Sequence, residues 1–170
     1  MKQIIFLTGN ALKTEIANKI LGQYGAIIKS QKFEVPEIQA INGDAISAFG
    51  AKFAAEKLNK PVIKSDVSYE IKALRGFPGP FVKFINSWLT ADQLLKLMDG
   101  TIDRSIEVIE HLSLAEPSGE VVTFRGIAKG KIADRIHLAK KGSPFDQVLI
   151  REGYEVPQNM MSEDQLMAFF

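Results

Sequence analysis

The sequence predicts an α/β fold on a mixed β-sheet with flanking helices, and three features carry that expectation. A short apolar, β-branched run, Ile4-Ile5-Phe6-Leu7, leaves through the polar glycine turn Thr8-Gly9-Asn10 into a stretch of helical periodicity. Helical patterns dominate the first part of the chain, whereas 105–132 reads as strands interrupted by a turn. Strand-turn-helix units early and antiparallel strands late point to a mixed sheet rather than a purely parallel one.

Taken in order, 4–7 is a buried strand. Residues 11–21 form a helix, because Leu12, Ile16, Ile20 and Leu21 recur at helical spacing while Lys13, Glu15 and Lys19 take other faces. A second strand covers 26–28, and 33–39 is extended because Pro36 disfavours helical geometry at Val35. Glu37 then falls in a loop or at a strand edge. The alanine-rich stretch 45–58 is an amphipathic helix closed by Asn59 and Pro61, and a third strand runs from 61 to near Asp66. The Gly- and Pro-rich segment 74–80 forces a defined loop. Helices over 81–89 and, capped by Thr90 or Asp92, up to Met98 follow. A strand over 105–114 and one or two more over 120–132 are separated by the hairpin turn Glu116-Pro117-Ser118-Gly119, then come the apolar run Val148-Leu149-Ile150 and a short amphipathic stretch from Ser162 onward. The aromatics Phe33, Phe49, Phe53, Phe81, Phe84 and Trp88 are expected in the core.

With 170 residues, 46% of them hydrophobic, the chain can bury one core, so 1–170 is expected to be a single domain, in which two lobes around one sheet would fit. Lys plus Arg number 21 against 20 for Asp plus Glu, so nothing points to nucleic acid as a partner, although a small phosphorylated ligand needs only a local basic pocket. There is no cysteine, which removes disulfides, thiolate metal sites and cysteine nucleophiles and is compatible with a reducing cytoplasm. The apolar run 4–7 is too short for a targeting segment or a membrane span.

Three segments could carry chemistry. In the turn after the first strand, Gly9 lets a ligand approach the backbone, Thr8 and Asn10 offer hydrogen bonds, and Lys13 on the next helical turn could reach a phosphate. The plain alternative is an ordinary turn out of a strand. Glu37 and Asp66, from separate segments, could share one Mg²⁺, which takes few protein carboxylates and prefers phosphate oxygens; the alternative is two solvated acids. The loop Gly76-Phe77-Pro78-Gly79-Pro80 leads to Lys83, and is either a phosphate-facing element or a stiff connection. His111 and His137 lack metal-ligand spacing and read as structural. P-loop and dinucleotide-binding signatures are absent.

Together these segments resemble the Ham1-like inosine/xanthosine triphosphate pyrophosphatases over nearly the whole chain. Thr8-Gly9-Asn10 with Lys13 is similar to that family's phosphate loop, Val35-Pro36-Glu37-Ile38-Gln39 to its LPEIQ segment, and Ala73-Leu74 with Gly76–Pro80 and Lys83 to its Gly/Pro-rich stretch. Phe124-Arg125-Gly126, Gly130-Lys131-Ile132 and Gly153-Tyr154 follow in the family's order. The resemblance implies a Maf/Ham1-type fold, two lobes with a cleft between them. It also implies Mg²⁺-dependent hydrolysis of nucleoside triphosphates, among them ITP, dITP and XTP, to monophosphate and pyrophosphate by a cytoplasmic homodimer. Thr8, Gly9, Asn10, Lys13 and Lys83 would hold the triphosphate, Glu37 and Asp66 would bind metal, and Lys13 and Asp66 would be catalytic, with Asp66 the general base.

The sequence departs from the family at several places. Ser65-Asp66-Val67 stands where the family has an acid pair and a hydroxyl residue. Ser143-Pro144-Phe145-Asp146 retains only Phe145 and Asp146 of the stretch around the base. A helical lysine of the family falls on Gly50, with Lys52 near enough to substitute. Gln165 replaces another lysine, and the family's Ser-His-Arg has no counterpart. These losses leave open a catalytically weak nucleotide-binding protein of the same fold, or a pyrophosphatase with another base preference.

Overall fold

The computed structural model describes residues 2–136, 142–162 and 164–165; His137 and most of the C-terminal stretch after Ser162 lie outside the described residues. Seven strands form one sheet in the order β2-β1-β3-β5-β6-β7, with β4 beside β3. They are β1 (Lys2–Phe6), β2 (Ala26–Ser30), β3 (Val62–Ile71), β4 (Phe77–Gly79), β5 (Ser105–Ala115), β6 (Val121–Ile132) and β7 (Leu149–Arg151), and the helices are α1 (Ala11–Leu21), α2 (Gly43–Leu58), α3 (Val82–Trp88) and α4 (Ala91–Lys96). The sheet is mixed, as expected: β1 pairs in parallel with β2 and β3, while β3–β4 and β6–β7 are antiparallel. No helix among the described residues is long and apolar enough to cross a membrane.

The chain divides into two compact units, one of residues up to Asp66 with Glu110–Gly126, the other of Val67–Ile109 with the residues from Ile127 on. In the first unit the period of two along β1 decides which helix covers which face. Ile4 and Phe6 pack with Ala17 and Leu21 of α1, whereas Ile5 joins Ala51, Ala54 and Ala55 of α2, all three fully buried. Alanine at the contact lets α2 lie close to the sheet. The Asn18 side chain ties α1 to β2, accepting from the Ile28 N–H and donating to its carbonyl, both at 2.8 Å. Asn42 caps the start of α2, and Asn59 ends it in left-handed geometry.

The second unit has its own core, in which Ile71, Val82, Ile85, Leu94, Ile106 and Phe145 pack together. Thr90 and Gln93 form a reciprocal capping box at the start of α4. The Gly119 turn joining β5 to β6 is closed by backbone bonds between Glu116 and Glu120 and between Gly119 and Glu116.

Two expectations need correction. β3 does not end near Asp66 but continues to Ile71, because Val67, Tyr69 and Ile71 alternate toward the second core and the strand pairs with β4 in the Gly/Pro loop. The aromatics are not all core. Trp88 is 69% exposed, Phe84 42% and Phe49 39%. On α3 the buried face belongs to Val82 and Ile85, which leaves Phe84 and Trp88, four apart, paired on another face at 5.4 Å between ring centroids.

Candidate active site

The chain leaves β1 through a turn tied by its own side chains. Thr8 Oγ1 accepts the Asn10 N–H at 3.1 Å, and Asn10 Oδ1 accepts the Leu12 N–H at 3.0 Å, capping α1. Asn10 is therefore first a helix cap. Gly9 has open space where a side chain would stand, so a ligand meets bare backbone there. One turn into α1, the Lys13 ammonium lies 2.6 Å from Glu110 Oε1 and 3.3 Å from Ser65 Oγ. Ser65 and Asp66 stand together on β3, Asp66 half-buried with its Oδ2 shielded from solvent.

Beside this turn opens a cavity of about 720 Å³, lined among others by Thr8, Gly9, Phe33, Glu37, Phe53 and Lys64. Glu37 reaches it from the irregular segment 31–42, exposed to solvent. Thr8, Gly9 and Glu37, singled out separately in the sequence, thus share one concavity. Lys52 is exposed on α2 near the β5–β6 turn, where its Cε is 3.6 Å from the point a Cβ on Gly119 would occupy. The lysines in the cavity wall are Lys32 and the half-buried Lys64, both of which the sequence reading passed over. For Lys64, an interruption of the apolar strand Pro61-Val62-Ile63 by a lysine was the available signal. Glu110, a carboxylate inside the buried run Val108-Ile109-Glu110-His111, was equally visible.

A second polar cluster in the same unit also escaped the sequence reading. His111, buried, bonds Asp44 Oδ1 through Nδ1 at 2.6 Å, and Arg125 forks onto both carboxylate oxygens of Asp44. The Arg125 hydrogen bonds, with His111 adding to them, outweigh the cost of burial and hold the Asp44 carboxyl down at about 2. Gly43 is required here, since a Cβ would stand 2.5 Å from His111 Nε2 and closer to the ring carbon Cδ2. Nearby, Ser47, Ser113 and Thr123 form a chain of hydroxyls at 2.8 and 2.7 Å. His111 is thus a satisfied structural histidine, as expected.

In the second unit, Lys83 is exposed on the first turn of α3. Phe145 is wholly buried, its ring edge-on to Tyr69 at 5.0 Å between centroids. Asp146 closes its own loop, accepting from the Ser143 N–H at 2.8 Å and from Gln158 Nε2 at 3.0 Å. A cavity of about 700 Å³ in this unit is lined by Lys72, Glu107, Lys131, Arg151 and Tyr154 among others; burial lowers the Arg151 pKa, against the opposing pull of Tyr69 and Asp146.

The chain resembles known proteins along most of its length. It is 36% identical over 151 residues to a dITP/XTP pyrophosphatase of Methanopyrus kandleri, covering 89% of this chain and 80% of that one. It is 31% identical over 169 residues to an inosine triphosphate pyrophosphatase of Ajellomyces capsulatus, covering 99% and 90%. The solved structure of a HAM1 protein from Coxiella burnetii shares the fold, with a TM-score of 0.83 at 20% identity over 99% of this chain and 91% of that chain. A family model, that of the Ham1 family, matches residues 4–168, and the chain belongs to that family.

Proposed function

We propose that the protein is a nucleoside-triphosphate pyrophosphatase that hydrolyses non-canonical purine nucleotides such as dITP, XTP and ITP to the monophosphate and pyrophosphate. The observation that carries this reading is the first-unit cavity, which the open backbone at Gly9, the hydroxyl of Thr8, the carboxylate of Glu37 and the amine of Lys64 line together. Cations and backbone N–H groups suit a triphosphate, and a shielded carboxylate suits a group that takes a proton from water. The names of the relatives point to the same substrates.

In this reading Thr8, Gly9 and Lys13 hold phosphate oxygens. Asp66 accepts the proton of the water that adds to phosphorus as the bond between the α and β phosphates breaks and pyrophosphate leaves. Glu37 and Asp66 would hold Mg²⁺, whose chemistry when bound is to neutralise charge on the phosphates. The donors fit: both are hard carboxylate oxygens. No group of three or more His, Cys, Asp or Glu that could hold a metal occurs among the described residues, and an ion that takes its remaining ligands from phosphate and water needs none. A homodimer in the cytoplasm belongs to the same reading, and a monomeric mass by light scattering would remove the dimer from it.

One observation favours a second reading. Lys13 is occupied by Glu110, and Ser65 offers a hydroxyl where a second carboxylate could stand, so a nucleotide-binding protein with weak chemistry would look much the same. A panel of ITP, XTP, dITP, GTP, ATP and pyrimidine triphosphates with Mg²⁺ separates the two. The pyrophosphatase reading expects pyrophosphate from the first three and little from the rest. Nucleotide binding without turnover on any of them would leave only the second.

A further inference from the structure

Glycine weakens a helix interior, so Gly50 in the middle of α2 asks for a reason. Its surroundings supply one. A Cβ at Gly50 would stand 2.5 Å from Cε of Lys64 and closer still to its Cδ, whereas the next neighbour, Val35 Cγ1, is at an ordinary 3.5 Å. The buried backbone of α2 at Gly50 therefore forms a slot for the hydrocarbon stem of one lysine on β3.

Lys64 lines the cavity that also contains Thr8, Gly9 and Glu37. It is half-buried, and among the described residues it has neither an ion-pair nor a hydrogen-bond partner. Lys13 differs, being held by Glu110 and Ser65, and Lys32, also in the cavity wall, is exposed to solvent. An ammonium whose stem is fixed in a protein slot has lost part of its freedom before any ligand arrives, which is how a binding residue is preorganised. An anion entering the cavity beside the Gly9 turn would supply its counter-charge.

We propose that Lys64 is a phosphate-binding residue of the site, and that Gly50 is the positioning residue that seats it. The proposal rests on the pyrophosphatase reading for its substrate, a nucleoside triphosphate, but not for the anion chemistry itself.

Lys64→Ala and Lys64→Met should raise KM for the triphosphate by about tenfold to a hundredfold, the loss of one charge-assisted hydrogen bond, with a smaller change in kcat. Gly50→Ala should act in the same direction by pushing the lysine stem out of its slot, while the melting temperature stays level or rises, since alanine favours the helix. The double variant Gly50→Lys with Lys64→Ala returns a lysine stem to the same space from the helix side and should recover part of the affinity. Lys60→Met, at an exposed lysine beyond α2, should change nothing. Calorimetric binding of inorganic tripolyphosphate to the wild type and to Lys64→Met separates this inference from the enzymatic reading. Lys64-dependent binding without turnover of any nucleotide would sink the enzyme and keep the phosphate residue. Folded Lys64→Met with wild-type KM, or with undiminished tripolyphosphate binding, would overturn the proposal.

Discussion

The turn after β1 and the loop before β7 both read in the sequence as ligand-facing, and they are built in opposite ways. At the first, Gly9 is open, Thr8 and Gly9 line a cavity, and the hydrogen bonds that tie the turn leave its outer face bare. At the second, Phe145 is wholly buried against Tyr69, and Asp146 spends one carboxylate oxygen on its own loop and the other on Gln158 beyond β7. Gly9 has no side chain to bury, and nothing packs over it, so the turn stays open. An aromatic next to an acid can serve a ligand or a core equally well, and here packing has claimed it.

The largest expected effect tests the open side of this comparison. Asp66→Asn should cut kcat by about 10²- to 10⁴-fold, the range for loss of a general base, with the melting temperature little changed. Near-full activity in that variant would remove Asp66 from the chemistry. On the closed side, Phe145→Ala should destabilise the protein by about 3–5 kcal/mol in denaturant titration, the cost of emptying a large core site. Phe145→Leu should cost less and leave KM for the triphosphate unchanged; a large rise in KM in a stable Leu variant would show that the ring meets the base after all.

A smaller effect asks whether the second polar cluster of the first unit is scaffold rather than site. Because the Asp44 carboxyl lies at about 2 when folded, below its ordinary 3.8, it stabilises the fold fully above pH 4 and loses that contribution as pH falls toward 2. Asp44→Asn should cost on the order of 1 kcal/mol at neutral pH, after allowing for solvent screening at the exposed Arg125, and should flatten the stability profile between those pH values. The smallest effect concerns Lys13. Glu110→Gln frees its ammonium from a partly exposed ion pair and should lower KM by about two- to fivefold, an effect that high salt erases.

Most elements were legible because each announces itself locally. The apolar run 4–7, the capping residues Asn59 and Thr90, and the turn at Gly119 need no distant partner to be read. The extension of β3 past Asp66 was missed because it depends on pairing with β4, a contact made in space. Within the site, Thr8, Gly9 and Glu37 could be found by residue type and order. Lys64, Glu110 and the Asp44–His111–Arg125 cluster could not, because each takes its meaning from a neighbour 14 to 97 positions away: Gly50, Lys13 and one another. The sign was present all the same, in a glycine inside a helix and charges inside buried strands.

The most direct test of the central claim is product analysis with ITP, XTP and dITP in the presence of Mg²⁺, following pyrophosphate and nucleoside monophosphate together. The account predicts the two in equal amounts, released by the wild type and not by Asp66→Asn. Orthophosphate with the diphosphate, or product formation indifferent to Asp66, would contradict it.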